Sequence, residues 1–493
     1  MNEHAVDEHK ETTSPRARRI GLIAGPLLAL VMILAGPPSG LGVPGWHAAA
    51  AGVLMAVWWM TEALPLPVTA LLPLALFPLL GVGDLETTAV SYAHPLIFLF
   101  LGGFIIARAM ARWQLHRRLA WAVLRAGGSG PAAIVGGIMA ATAFLSMWVS
   151  NTATAMVMLP IGQSIVATFA ERSGLPERTH LQFSAAVMLG IAYGATIGGM
   201  GTLIGTPPNA LFAGFMEDTY GMEIGFADWM LIGIPVVLVL LPAAWLVLTR
   251  IVFAVPASLP AGVSASLFQG LEAPGPMTRE ERWVAAIMVA VALAWLCRPL
   301  IEIWLPALPL SDAGIAVTGA ILMFALPVRR GGGRFLLEWD DLRDLRWDVL
   351  ILFGGGLALA AAMGDTGLSG WIGAIVSDLE RLPQWLMILA VMTIVVYLGE
   401  LASNTAMAAV FLPVAGAAAV GMGDSPLALA LPVALAASLG FMLPVATPPN
   451  AIVYGSGSLD AQQMLRAGAV LDVIAILIVA AIGLVLGPLV FAL

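Results

Sequence analysis

Runs of about 17 to 25 apolar residues recur from Ile20 to Leu493, and each is long enough to carry an α-helix across roughly 30 Å of hydrocarbon. In that medium every backbone amide and carbonyl must be satisfied internally, so the runs point to an all-α polytopic membrane protein. Composition agrees, at 60% hydrophobic and 11% charged residues with a mean hydropathy of +0.94, far from that of a soluble globular domain. Ile20 to Gly36 lacks a small-residue cleavage site and is expected to be the first span rather than a removed signal. The single cysteine, Cys297, excludes an intramolecular disulfide framework and a zinc cluster built on thiolates. A formal charge of -8 says less about partners than the placement of the charges does.

That placement sets a topology. Lys10, Arg16, Arg18 and Arg19 precede the first span and keep the N-terminus cytoplasmic by the positive-inside rule. Spans near 20–36, 46–62, 66–82 and 94–111 then return the chain inside at Arg112, Arg117, Arg118 and Arg125. If residues 131–170 dip in and come back rather than cross, Arg172 and Arg178 are inside. The acidic loop of Glu217, Asp218, Glu223 and Asp228 is then outside, and Arg250, Arg279 and Arg282 are inside. Spans near 283–304 and 308–328 place Arg329, Arg330, Arg334, Arg343 and Arg346 inside. A second dip over 383–420 and a span near 426–458 bring Arg466 inside and leave the C-terminus outside. Only Arg298 and Arg381 then fall outside, with Arg108 near a cytoplasmic helix end. The expectation is 11 transmembrane helices plus two re-entrant helical hairpins.

The chain also repeats itself. FLGGFIIARAM at 100–110 matches FGGGLALAAAM at 353–363, and SNTATAMVMLP at 150–160 matches SNTAMAAVFLP at 403–413, both at a spacing of 253 residues. GTPPNALFAG at 205–214 matches ATPPNAIVYG at 446–455 at a spacing of 241. Each repeat carries an odd number of spans with its hairpin, so the two face opposite ways, the inverted arrangement common in secondary transporters. The chain divides accordingly into a cytoplasmic segment 1–19, scaffold helices 20–125, a transport half 126–253 with the first hairpin and a broken helix, a loop with scaffold helices 254–382, and a second transport half 383–493.

Each Ser-Asn-Thr triplet sits midway along about 40 apolar residues, at the tip of a hairpin near the membrane midplane, where non-helical backbone is tolerated only against protein or a water-filled cavity. Proline removes an amide donor and clashes with the preceding turn, so Pro207-Pro208 and Pro448-Pro449 are expected to unwind long spans near their centres. No charged residue or histidine occurs at 126–170 or 181–216, and Asp424 is the one exception across 401–459. Such a neutral site suits an anion held by helix starts, amides and hydroxyls. Sodium ions held by carbonyl, Asn and Ser oxygens at the same breaks supply compensating charge and couple the two ligands. The same site would also serve a weakly charged or neutral solute.

With its paired SNT and TPPN motifs, its two hairpins and the whole chain after about residue 40, the sequence resembles the divalent anion/sodium symporter family, which imports di- and tricarboxylates. The resemblance implies that Ser150, Asn151, Thr152, Ser403, Asn404 and Thr405 grip substrate carboxylates from opposite sides. Thr206, Pro207, Thr447 and Pro448 complete the pocket. It implies one sodium at Ser146, the Val149 carbonyl, Asn151 and Gly205, and a second at Gly399, the Ala402 carbonyl, Asn404 and Ala446. Gly399 departs from the pattern, since it stands where a hydroxyl is usual, and backbone oxygen would have to serve. A homodimer held by the scaffold and an elevator-like movement of the transport halves are further implications.

Glu62, Arg108, Glu302 and Asp312 are ionisable near span ends and read as anchors or structural pairs. Glu400, beside the second tip, is the exception that invites a test. The 15 Trp read as interface anchors rather than a nucleotide or carbohydrate site. GSG at 128–130 and GGG at 331–333 lack P-loop spacing, which argues against an ATP-driven pump. An intramembrane enzyme would need a protease-like dyad or metal ligands at membrane depth, and the expected absence of His and paired carboxylates there argues against it, while a channel would conduct without coupling. The reading is a multi-pass inner-membrane carrier, not an enzyme, with no organic cofactor and no nucleic-acid partner. It imports a C4-dicarboxylate such as succinate, malate or fumarate with Na+ as co-transported ion. The alternatives are a sodium-independent dicarboxylate exchanger, or a citrate or sulfate carrier.

Overall fold

Long Ala- and Leu-rich stretches satisfy their own amides only as helix, and the computed structural model is mostly helical over its described residues, which are 15–126, 128, 130–256, 274–328, 334–376 and 383–491. Lys10, Ser129, Arg329, Arg330, Gly331 to Gly333 and Arg381, used in the sequence reading, lie outside them. Among the described residues the β contacts reduce to an isolated bridge between Pro327 and Phe335. Nine described helices are long and apolar enough to cross a membrane.

The first part of the chain runs α1 (Pro15–Ala35), α2 (Val43–Thr61), α3 (Leu66–Thr69), α4 (Leu72–Leu80), α5 (Leu85–Val90), α6 (Pro95–Arg112) and α7 (Leu115–Ala126). It continues with α8 (Pro131–Ser146), α9 (Asn151–Arg172), α10 (Glu177–Gly199), α11 (Pro207–Tyr220) and α12 (Phe226–Leu246). Beyond the loop come α13 (Arg279–Trp304), α14 (Asp312–Ala325), α15 (Trp347–Asp365), α16 (Leu368–Val376) and α17 (Gln384–Gly399). The chain ends with α18 (Asn404–Gly421), α19 (Leu427–Ala437), α20 (Pro448–Gly455) and α21 (Ala461–Val490).

The duplication read from motifs reappears in helix bounds. α8 and α17 begin and end at residues 253 apart, and α9 and α18 begin at the same spacing. Packing repeats as well: α8 and α9 lie on α10 as α17 and α18 lie on α19, and α12 meets α8 as α21 meets α17. The halves also interlock, because α20 packs on α9 and α10 while α11 packs on α18 and α19. α10 forms the centre, with every residue from Phe183 to Gly199 buried.

Two expectations need correction. The span placed at 66–82 is two pieces, because Pro73 lies in the first turn of α4 and the chain turns at Ala70 and Leu71 before it. The Pro-Pro pairs do not unwind helices from within. Pro207 and Pro448 occupy the first position of α11 and α20, where a missing amide costs nothing, and the non-helical stretches precede them.

Charges at the helix ends are paired, as anticipated. Arg108 donates to the Asp341 carbonyl at 2.9 Å and to Asp344 at 3.0 Å, and Arg112 meets Asp341, strapping the segment before α15 to the end of α6. Arg298 holds Glu223 at 2.5 Å, Glu302 at 3.1 Å and Asp312 at 3.3 Å, joining α13 to α14 and to the turn before α12. Glu62 takes a left-handed conformation (φ 47°) at the end of α2.

Candidate functional site

Each triplet caps a helix. Ser150 is the N-cap of α9, its Oγ accepting from the Ala153 amide at 3.3 Å, and Ser403 is the N-cap of α18. Thr206 and Thr447 occupy the same position on α11 and α20. Four helix N-termini, each with partial positive charge, therefore carry the predicted motifs.

The first break runs over residues 200–206. Its freed carbonyls are gathered by Asn209, whose amide nitrogen donates to Gly199 O at 3.2 Å and Thr202 O at 2.8 Å. Thr202 in turn donates its hydroxyl to Met147 O at 2.5 Å, tying the break to the hairpin tip. Asn151 sits beside this knot. Its carboxamide faces Ser146 Oγ at 2.6 Å and the carbonyls of Ala195 and Gly205, both at 3.2 Å. With nitrogen inward, the amide donates to all three. With oxygen inward, it accepts the Ser146 hydroxyl at 2.6 Å and stands 3.2 Å from the Ala195 and Gly205 carbonyls, two oxygen contacts that a cation among them would make favourable. The backbone of Gly199 makes room for it, since a Cβ there would collide with the Asn151 side chain.

The second half repeats the clamp with the same atoms. Asn450 donates to Gly440 O at 3.2 Å and Leu443 O at 3.0 Å, the counterparts of Gly199 and Thr202 at a spacing of 241. Thr447 Oγ accepts from the Asn450 amide at 3.4 Å. The tie to the tip differs. Glu400 stands where the first half has Met147, and its two carboxylate oxygens accept from the amides of Met442 at 2.9 Å and Leu443 at 2.8 Å. The Asn404 side-chain oxygen is buried and has no hydrogen-bond donor among the described residues. Gly399 offers no hydroxyl to it.

The structure thus gathers Ser146, Asn151 and Gly205, and adds the Ala195 carbonyl, which nothing in the sequence singled out. Val149 lies in the turn before the cap, its amide bonded to Leu145 O. Thr152 and Thr405 fall in the first turns of their helices, the latter buried. Pro207 and Pro448 start α11 and α20, while Ala402 and Ala446 lie next to the second tip and break without a side chain to join them. Asn209 and Asn450, overlooked as actors, were legible as the fourth letter of TPPN in both halves. Beside the first tip, a narrow apolar crevice is lined by Gly103, Ile106, Met110, Trp148, Ile204 and Trp295. Trp148, Phe226 and Trp295 stack in sequence, at 6.4 and 4.3 Å between centroids, carrying the tip's aromatic contact to α13.

A family model described as the sodium:sulfate symporter transmembrane region matches residues 17–493. The sodium-dependent dicarboxylate transporter SdcS of Staphylococcus aureus (strain USA300) is 40% identical over 464 residues, covering 93% of this chain and 89% of the relative. The same protein from strain NCTC 8325 / PS 47 gives the same figures. Among solved structures, the YdaH transporter of Alcanivorax borkumensis has a TM-score of 0.55 at 13% identity, over 90% of this chain and 98% of that one. MtrF of Neisseria gonorrhoeae, described within a class of antimetabolite efflux pumps, has a TM-score of 0.53 at 11% identity, over 95% and 96%. At those identities the two structures speak to fold alone.

Proposed function

The chain belongs to the sodium:sulfate symporter family, the divalent anion/sodium symporters, and from that premise we propose that it imports a C4-dicarboxylate such as succinate, malate or fumarate together with sodium. The observation that carries the reading is the gathering of the Asn151 carboxamide with Ser146 Oγ, Ala195 O and Gly205 O, which with the amide oxygen inward makes a set of four oxygens. In a hard-cation shell with oxygen distances of about 2.3–2.6 Å, ligands at right angles stand roughly 3.3–3.7 Å apart. The two 3.2 Å spacings approach that value. Asn404 Oδ1, buried without a donor, is the corresponding ligand of the second half. Between the cations, the N-termini of α9 and α18 with Ser150, Thr152, Ser403 and Thr405 supply donors and partial positive charge for two carboxylates.

In this reading the α8–α9 and α17–α18 pairs are re-entrant hairpins, and the 11 spans form an inverted repeat with the N-terminus cytoplasmic and the C-terminus outside. Residues 126–253 and 383–493 move as a transport unit against the scaffold of residues 20–125 and 254–382, in a homodimer of the inner membrane. The kinship to a sodium-dependent dicarboxylate transporter favours symport over sulfate or citrate transport. One observation favours the exchanger reading, the missing hydroxyl at Gly399.

Uptake of radiolabelled succinate into proteoliposomes tests the choice, with an inward sodium gradient against choline at equal ionic strength and with empty or succinate-loaded interiors. Sodium-dependent filling of empty vesicles is the expected result. Uptake that ignores sodium and requires internal succinate would withdraw the cation assignments.

A further inference from the structure

Asp472 lies midway along α21, a helix long and apolar enough to span the membrane, and it is 0% exposed. Both of its carboxyl oxygens lack a hydrogen-bond donor in acceptable geometry among the described residues. Its neighbour is the Glu400 side chain, and neither carboxyl has a basic partner there. Tyr193 of α10 faces both, but its hydroxyl is committed to the Phe441 carbonyl at 2.9 Å. Glu400 is bonded through both oxygens to the amides of Met442 and Leu443. The Asp472 carboxyl therefore lies against the Glu400 carboxyl, with the Phe441 backbone amide nearby and no hydrogen bond of acceptable geometry to either of its oxygens among the described residues.

The other half shows that the fold does not need this pair. α12 and α21 reach their breaks through equivalent glycines: a Cβ on Gly233 would meet Met200 O at 2.5 Å, and a Cβ on Gly468 would meet Phe441 O, the counterpart of Met200. That alignment, a spacing of 235 residues, places Val237 opposite Asp472, while Met147 stands opposite Glu400. The same tip, break and crossing helix are thus built once with two apolar side chains and once with two carboxyls. Burying carboxyl groups at membrane depth without a cation is costly, and the first half avoids the cost.

We propose that Glu400 and Asp472 bind a sodium ion of their own, behind the second hairpin tip and separate from the oxygens of Asn151 and Asn404. Both Asp472 oxygens are open to the cation, and Glu400 contributes oxygens already oriented by the backbone of the break. Because the ion ties α21 to the tip and the break at once, its binding and release move with the second half of the site. The arrangement has no counterpart at Met147 and Val237, so the sodium count of the two halves is unequal.

The test counts ²²Na+ bound to the purified full-length protein at saturation, without any dicarboxylate. Asp472→Asn and Glu400→Gln, close in shape to the originals, are each expected to bind one sodium fewer per chain than the wild type. Asn151→Ala removes a different ion, so its combination with Asp472→Asn should lose two. Should a single variant fail to fold, Glu400→Met with Asp472→Val copies the lining that the first half folds with, and it too should bind one fewer. An unchanged count in the variants that fold overturns the site, as does a count unchanged but accompanied by proton release, which would mean a shared proton in place of sodium. Failure of succinate uptake in wild-type vesicles, by contrast, strikes the substrate reading and leaves the count to decide this one.

Discussion

Asn151 and Asn404 are the same residue at the same place in two copies of one motif, yet their surroundings differ. Asn151 faces a hydroxyl and two carbonyls, whereas Asn404 Oδ1 has no donor among the described residues and the neighbouring Gly399 has no side chain. Asn151→Ala removes the group that faces three oxygens, a loss of about 1–3 kcal/mol, or roughly 5- to 150-fold in affinity. Succinate uptake by Asn151→Ala or Asn404→Ala in vesicles is expected to be lost at ordinary sodium, and wild-type uptake in either would refute the paired-site reading. Gly399→Ser works in the opposite direction. The nearest atom to a Cβ there is Met407 Cγ at 3.7 Å, so a Cβ fits in ordinary van der Waals contact. The sodium concentration for half-maximal uptake should fall several-fold, and an unaltered value would make the missing hydroxyl irrelevant.

Breaks and hairpins are events of whole elements, and here the sequence was most and least informative. The two helix pairs were legible because Ser-Asn-Thr, an N-cap signal inside an apolar run, occurs twice at one spacing, and the helices on either side of it end within two residues of 131–170 and 383–420. The turn at Ala70 and Leu71 was missed because 66–82 is apolar throughout and hydropathy does not register backbone direction. Glu400 and Asp472 could not be paired from sequence, since their contact is made by packing and not by periodicity. The Asn clamps carry a prediction of their own. Asn209→Leu takes the side-chain donor from Gly199 O and Thr202 O, and Asn450→Leu does the same to Gly440 O and Leu443 O. Each should cost at least about 2 kcal/mol, visible as a lower Tm of the detergent-purified protein. An unshifted Tm would show that the breaks hold themselves.

For the molecule as a whole, a cation that binds only the folded oxygens must stabilise the fold by mass action. At a hundred times its Kd, one such ion adds about 2.7 kcal/mol. Sodium in place of choline should therefore raise Tm in proportion to the logarithm of its concentration, less steeply in Asp472→Asn, and equal melting in the two salts would count against every cation site described. The crossed packing of the halves has a further consequence. α20 of the second half rests on α9, and α11 of the first rests on α18, so each tip helix is braced by the other half's broken span. A change of shape at one tip therefore acts on the broken span of the other half. If binding at one tip alters affinity at the other by some factor, thermodynamic reciprocity requires the same factor in return, so occupancy order is free while the coupling energy is not. A carrier braced in this way has no separate first and second ligand, only one shared free energy that its ions and its anion divide between them.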